Sequence, residues 1–261
     1  MQSSIIFKNT KISFSTKGKG TAVVLLHGFL ENVTMWNSTI EALSKRNRVI
    51  SIDLLGHGKT ECLGYVHSME LIAESVVAVL KHLRIRKSIF IGHSMGGYVA
   101  LAFAEKNPEK VKGFCLMNST SIADDNERKL LRARANKLVP NNFKNMVQLS
   151  FTNLFSEESR VTFKGEMKAA LHEALQTSIQ GYIACQEGMK IRPNREHVLQ
   201  NLSCKKLLII GKKDPVLDLE ASLEEAKKCG MEKVIFNDGH MSHIENKEAL
   251  INVLKQFVKS C

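Results

Sequence analysis

Residues 88–102, SIFIGHSMGGYVALA, join an apolar run to a helix-like one through a turn that has glycine two residues to either side of Ser94. The run Ser88–Gly92 reads as a strand covered on both faces, and the helix starts near Met95. A turn this tight forces its central residue into a strained backbone conformation, and side chains at the flanking positions would clash, so Gly92 and Gly96 are needed there. The strain holds the Ser94 hydroxyl exposed at the carboxyl end of the sheet.

The rest of the chain repeats the strand-then-helix rhythm. Ile5–Lys8 and Lys11–Ser15, separated by Asn9-Thr10, suggest an antiparallel hairpin at a sheet edge. Ala22–Leu26, Arg48–Asp53 and Lys112–Met117 are further strand-like runs. Between them, Met69, Ile72, Ala73, Val76, Val77 and Leu80 recur at helical spacing over Ser68–Leu83. Strands linked by helices predict a mostly parallel twisted sheet with right-handed crossovers, an α/β fold flanked by helices. From about Asp124 to Gln200 the pattern turns helix-like and strand-free; strands resume at Lys206–Gly211 and Lys233–Phe236, and a closing helix covers about Asn246–Val258. The expected organisation is therefore a core of residues 1–121 and 201–261 with a helical cap, residues 122–200, inserted between strands where it could cover a site.

Composition excludes several function classes. The chain has 261 residues, 44% hydrophobic and 24% charged, the balance of a globular protein rather than a disordered one. Its 37 Lys and Arg against 26 Asp and Glu give a formal charge of +11, with 15 against 8 in residues 1–120. The basic runs there, Lys45-Arg46-Asn47-Arg48 and Arg84-Ile85-Arg86-Lys87, are short and fall where turns lead into strands, so solvated surface explains them and no nucleic-acid partner is expected. The six cysteines are scattered singly, without metal spacing, which suits reduced thiols and a cytoplasmic setting. No stretch approaches a membrane span or a secretory leader, so stable membrane insertion is not expected.

A serine hydroxyl needs a base to take its proton, and the base needs an orienting group. Asp214 follows the strand that ends at Gly211, and His240 follows the strand that ends at Phe236, so both belong to the same sheet edge as Ser94. His243 competes with His240, and Asp218, Asp124 and Asp125 compete with Asp214. The Gly-His pair at a strand end favours His240, while Asp218 reads as a cap of the next helix and Asp124-Asp125 as caps of the first inserted helix. His27-Gly28-Phe29 closes the Ala22–Leu26 strand, so the backbone N–H of Phe29, with that of Met95, can form an oxyanion hole. His27, Asp53 and His57 read as braces of the neighbouring loops.

These residues, with Trp36, Asp53-Leu54-Leu55-Gly56-His57-Gly58, Gly239-His240 and Glu245, make the chain resemble the α/β-hydrolase superfamily, in its esterase and lipase-like branch with a helical cap. The likeness spans nearly the whole chain except the cap. It implies Ser94 as nucleophile, His240 as base, Asp214 as orienting acid, and Phe29 and Met95 as oxyanion donors. Some relatives place the acid after the strand that ends here near Asn118. Relatives that open epoxides or displace halide use a carboxylate where this chain has Ser94, which leaves hydrolysis of a carboxylic ester or thioester as the leading expectation.

Leu30, Trp36, Tyr98, Phe143 and Met146 are the expected substrate contacts if the cap folds over the crevice; Met95, Leu149, Phe151 and Phe155 would join them, unless the cap aromatics form the cap's own core. A carbon–carbon bond hydrolase, a lyase of the menaquinone-pathway type and a slow-turnover ligand receptor share this constellation and stay open. Acidic substrates would want a cationic cap, which Arg128, Arg132 and Arg134 could offer, although surface solvation is their plainer role. No phosphate-cradling loop, metal constellation or nucleotide fingerprint appears, so no metal or cofactor is expected, and the partner expected is a small-molecule ester met by a monomer or homodimer.

Overall fold

In the computed structural model, which describes residues 2–261, eight strands share one sheet: β1 (Gln2–Phe7), β2 (Thr10–Lys17), β3 (Ala22–Leu26), β4 (Arg48–Ile52), β5 (Ser88–His93), β6 (Val111–Met117), β7 (Lys205–Gly211) and β8 (Glu232–Phe236). The order is β1-β2-β4-β3-β5-β6-β7-β8. β1 and β2 join antiparallel, as do β2 and β4, and every later pair is parallel. The β1–β2 turn lies one residue earlier than the sequence suggests: Phe7 pairs with Thr10, and Lys8 and Asn9 take φ of 48° and 62°. Two successive positive φ values give a turn whose twist matches that of the strands it joins.

Side chains alternate across each strand, so one sheet divides two cores. Val24, Leu26, Phe90, Phe114 and Leu116 face α2 (Met69–His82) and α3 (Met95–Lys106) in one cluster. Val23, Leu25, Ile89, Ile91, Met117 and Ile209 form the other with Leu250, Leu254 and Phe257. Helices α1 (Asn37–Leu43), α9 (Leu219–Lys228), α10 (Ser242–Glu245) and α11 (Lys247–Ser260) complete the sheet-bearing part.

Between β6 and β7 lie α4 (Asn126–Thr152), α5 (Glu157–Thr162), α6 (Lys164–Ala174), α7 (Ile179–Lys190) and α8 (Glu196–Asn201). α4 is kinked: Pro140 has no N–H to give, and Asn142 leaves helical geometry at φ −148°. Asp125 caps α4 by accepting from Arg128 N at 2.7 Å. Asp124 does not cap; it is buried and pairs with Arg132 and Arg192. This segment has a core of its own, in which Val139, Val147, Phe151, Phe155 and Tyr182 close over Leu30 and Met241 from the strand-end loops. Its outer face leaves Leu130, Leu131, Leu138 and Leu149 more than half exposed. Among the described residues, no helix is long and apolar enough to cross a membrane.

Candidate active site

Ser94 ends β5 and starts α3 at φ 48°, ψ −117°, and is the one residue from Ile91 to Ala100 that is not fully buried. Its neighbours explain the flanking glycines. A Cβ on Gly92 would lie 2.6 Å from the Gly96 carbonyl, and one on Gly96 would lie 2.2 Å from the Leu26 carbonyl oxygen. Backbone lies on the other side of each contact, so neither position can yield by rotating a side chain. The turn is further held by Ser94 N donating to Met117 O at 3.0 Å and Ser119 Oγ donating to Ser94 O at 2.7 Å.

At the same sheet edge, His240 Nδ1 lies 2.8 Å from Asp214 Oδ2. A carboxylate only accepts, so Nδ1 carries the proton and Nε2 is left bare. Asp214 also accepts from Asn118 Nδ2 at 2.9 Å and from the N–H groups of Val216 and Leu217 at 2.8 and 3.1 Å. Burial alone would raise the Asp214 carboxyl, but attraction to His240 and these bonds hold it below the ordinary carboxylate range. Asn118 is in turn fixed by Ser242 Oγ, which donates to its Oδ1 at 2.6 Å. Asp218 caps α9 by accepting from Ala221 N.

The loop after β3 has almost all its amides committed. Gly28 N donates to Glu31 Oε2 at 2.6 Å, Leu30 N to His57 Nε2 at 3.1 Å, and Glu31 N to Gly28 O at 3.3 Å. The Phe29 N–H has no such acceptor among the described residues, and Met95 stands at the first position of α3, where a helix leaves its N–H unpaired. His27 accepts from Leu54 N and donates to Gly28 O, and His57 accepts from Leu30 N and donates to Leu55 O. Each ring thus bridges two loops as a neutral tautomer. Burial keeps them neutral, lowering His27 and holding His57 down to about 3.

Sequence reasoning missed a buried ion pair beside the serine. His93 Nδ1 faces Glu31 Oε2 at 2.7 Å and Nε2 faces the His240 carbonyl oxygen at 3.0 Å. Both ring nitrogens meet acceptors, so His93 is an imidazolium. Burial opposes that charge, and Glu31 more than restores it, raising His93 above its ordinary value. Burial likewise acts to raise Glu31, which His93 and the Gly28 N–H hold down to about 2. His243 lies behind this pair, its ring 5.7 Å from that of His93, and burial pushes it down to about 4. Glu31, His93 and His243 bring ligand-type atoms within 4.8 Å of one another. Glu31 and His93 are already committed to each other as an ion pair, and an imidazolium has no lone pair for a metal.

Ser94 and His240 open on one cavity of about 170 Å³, with Phe29, Leu30, Tyr98 and Phe151 among its walls. That is room for roughly six water-sized groups. Three expected contacts lie elsewhere. Trp36 is fully buried in the core against Val23, Leu25 and Val49, because it precedes α1 and turns under the sheet rather than toward its edge. Phe143 and Met146 pack into the core of the helical segment, where Phe143 meets the Tyr182 ring at 6.1 Å and Tyr182, not Phe143, reaches the cavity. Arg132, Gln186 and Tyr182 also line it. Of these, the sequence offered Arg132, only as one of three arginines that could make the cap cationic; it gave no signal for Gln186 or Tyr182, whose approach depends on how α4 and α7 cross.

Comparison with known proteins agrees with this architecture. The sequence model of the alpha/beta hydrolase fold family matches residues 21–247. The 3-oxoadipate enol-lactonase 1 of Acinetobacter baylyi is 25% identical over 97% of this chain and 94% of its own length. Among solved structures, a thermophilic esterase from Thermogutta terrifontis superposes with a TM-score of 0.94 at 26% identity, covering 100% of this chain and 98% of that one. The enol-lactonase of Burkholderia xenovorans LB400 superposes with a TM-score of 0.91 at 20% identity, over 98% of this chain and 100% of that one, a likeness of fold. The chain belongs to the α/β-hydrolase fold family.

Proposed function

We propose that this α/β hydrolase cleaves small carboxylic esters through an acyl-enzyme on Ser94. The observation that carries the reading is His240, hydrogen-bonded to Asp214, facing the same cavity as a partly exposed serine in strained geometry. Ser94 Oγ attacks the ester carbonyl carbon as His240 Nε2 takes its proton. The N–H groups of Phe29 and Met95 hold the oxyanion of the tetrahedral intermediate. Collapse breaks the bond to the alcohol oxygen, which leaves with the proton from His240. Water then attacks the acyl-enzyme, gives its proton to His240 and releases the acid, and the proton returns to Ser94. Asp214 remains ionised throughout and stabilises the imidazolium that forms twice per turnover.

The helical segment, residues 122–200, serves as the cap over this site. The complete Ser94, His240 and Asp214 set supports turnover over a receptor role. The test is steady-state hydrolysis of p-nitrophenyl esters from acetyl to dodecanoyl by wild type and Ser94→Ala. The cavity size predicts a peak at the shortest acyl chains and a loss of at least three orders of magnitude in the variant. Equal rates in the two proteins would refute the reading.

A further inference from the structure

The wall that α4 and α7 give the Ser94 cavity is cationic. Arg132 lines the cavity with its side chain 16% exposed. Its Nε donates to Asp124 Oδ2 at 2.5 Å and its Nη1 to Gln186 Oε1 at 2.6 Å; its Nη2 makes no hydrogen bond among the described residues. Asp124 does not neutralise it alone, because its other oxygen accepts from Arg192 Nη1 at 2.7 Å. Arg192 in turn stacks 3.9 Å over the ring of Tyr98, another wall of the cavity. Two guanidinium groups thus share one carboxylate. Of the other charged groups near the cavity, Glu31 and His93 balance each other, and the Asp214 carboxylate lies behind His240, taken up by its Nδ1–H and by the Asn118, Val216 and Leu217 N–H donors. The cluster of Asp124, Arg132 and Arg192 is left with one surplus positive charge, in a setting where an uncompensated charge is costly.

We propose that the Ser94 cavity selects esters bearing a free carboxylate, which docks on the Arg132 guanidinium through its open Nη2. The anion supplies the missing counter-charge, and the guanidinium offers a fork geometry to it while Asp124 and Gln186 fix the plane. Arg132 is therefore part of the binding wall, contrary to the surface role that sequence favoured for it, whereas Arg134 is exposed and Arg128 donates to the Val216 carbonyl. The proposal rests on the ester-hydrolase reading and narrows its substrate class.

The test compares charged esters with neutral partners of the same shape: monoethyl succinate, glutarate and adipate against ethyl butyrate, valerate and hexanoate, and 3-acetoxypropanoate against propyl acetate. Wild type should favour at least one carboxylate member by roughly tenfold to a hundredfold in kcat/KM, the worth of a charge-assisted hydrogen bond. Arg132→Gln should cut that ratio at least tenfold, and Arg132→Lys, which keeps the charge, should retain much of it. Calorimetric titration of the same compounds into Ser94→Ala separates binding from turnover. Tight binding of the carboxylate esters with no hydrolysis in wild type would sustain this inference and sink the hydrolase reading. Hydrolysis with ratios at or below one for every pair, or a ratio unmoved by Arg132→Gln, would overturn the inference and leave the hydrolase reading intact.

Discussion

A Cβ added at Gly96, under the serine turn, would sit 2.2 Å from a backbone oxygen, whereas one added at Gly165 in α6 would meet nothing within 4 Å. The same contrast runs through both regions. The sheet-bearing part places Ser94, Asp214 and His240 by backbone packing, glycine contacts and ladder hydrogen bonds. The helical segment closes over them with its own small core and with polar links such as Asp124 to Arg132. The geometry that the proposed chemistry uses thus lies where an added methyl meets backbone. On the proposed reading, choice of substrate falls to side chains on the helices that close over it.

The largest effect is expected from Asp214→Asn, which keeps the shape but removes the group that sets the His240 tautomer. Activity toward every ester should fall by about three to four orders of magnitude, read as kcat/KM. A variant that merely changed the preferred ester would place Asp214 with the selecting residues instead. Next comes Gly96→Ala, where backbone must move to admit one methyl; a fall in Tm of roughly 10 °C or more is expected by calorimetry. A fall of less than about 2 °C would show that the turn is softer than its contacts imply.

Glu31→Gln should cost about 3 kcal/mol, from a carboxyl held near 2 against an ordinary 4.5. The sign is set by both partners. Glu31 contributes fully above pH 4.5 and loses its contribution as pH falls toward 2, while His93 contributes fully below its ordinary 6.5 and loses it as pH rises through its raised value. The deficit of the variant should therefore be greatest between about pH 4.5 and 6.5, measured by urea unfolding across that range. A deficit that does not vary with pH would deny the ion pair. The smallest effect is expected at Gly165→Ala, where better helix propensity should leave Tm unchanged or raise it by about 1 to 3 °C.

Much of the sheet was legible because buried parallel strands are written as unbroken apolar runs such as Ala22–Leu26, and each of the eight strands overlaps a run that the sequence marks without any knowledge of pairing. The β1–β2 turn slipped by one residue because Lys8 does not announce a positive φ. Ser94, Asp214 and His240 were readable since each follows a strand end, and strand ends are local features. Glu31 was not, and Arg132 could not be told from Arg128 and Arg134, because their meaning comes from contacts 62 and 54 residues away, to His93 and Gln186. Trp36 misled for the same reason: proximity to Phe29 in sequence says nothing of which face of the sheet it joins.

Whether Ser94 carries the acyl group is read by labelling the intact protein with a fluorophosphonate and mapping the adduct by peptide mass spectrometry. One adduct per chain is expected, on Ser94, absent in Ser94→Ala and formed at least a hundredfold more slowly in His240→Asn. Label on another residue, or ester hydrolysis that persists undiminished after Ser94→Ala, would contradict that role.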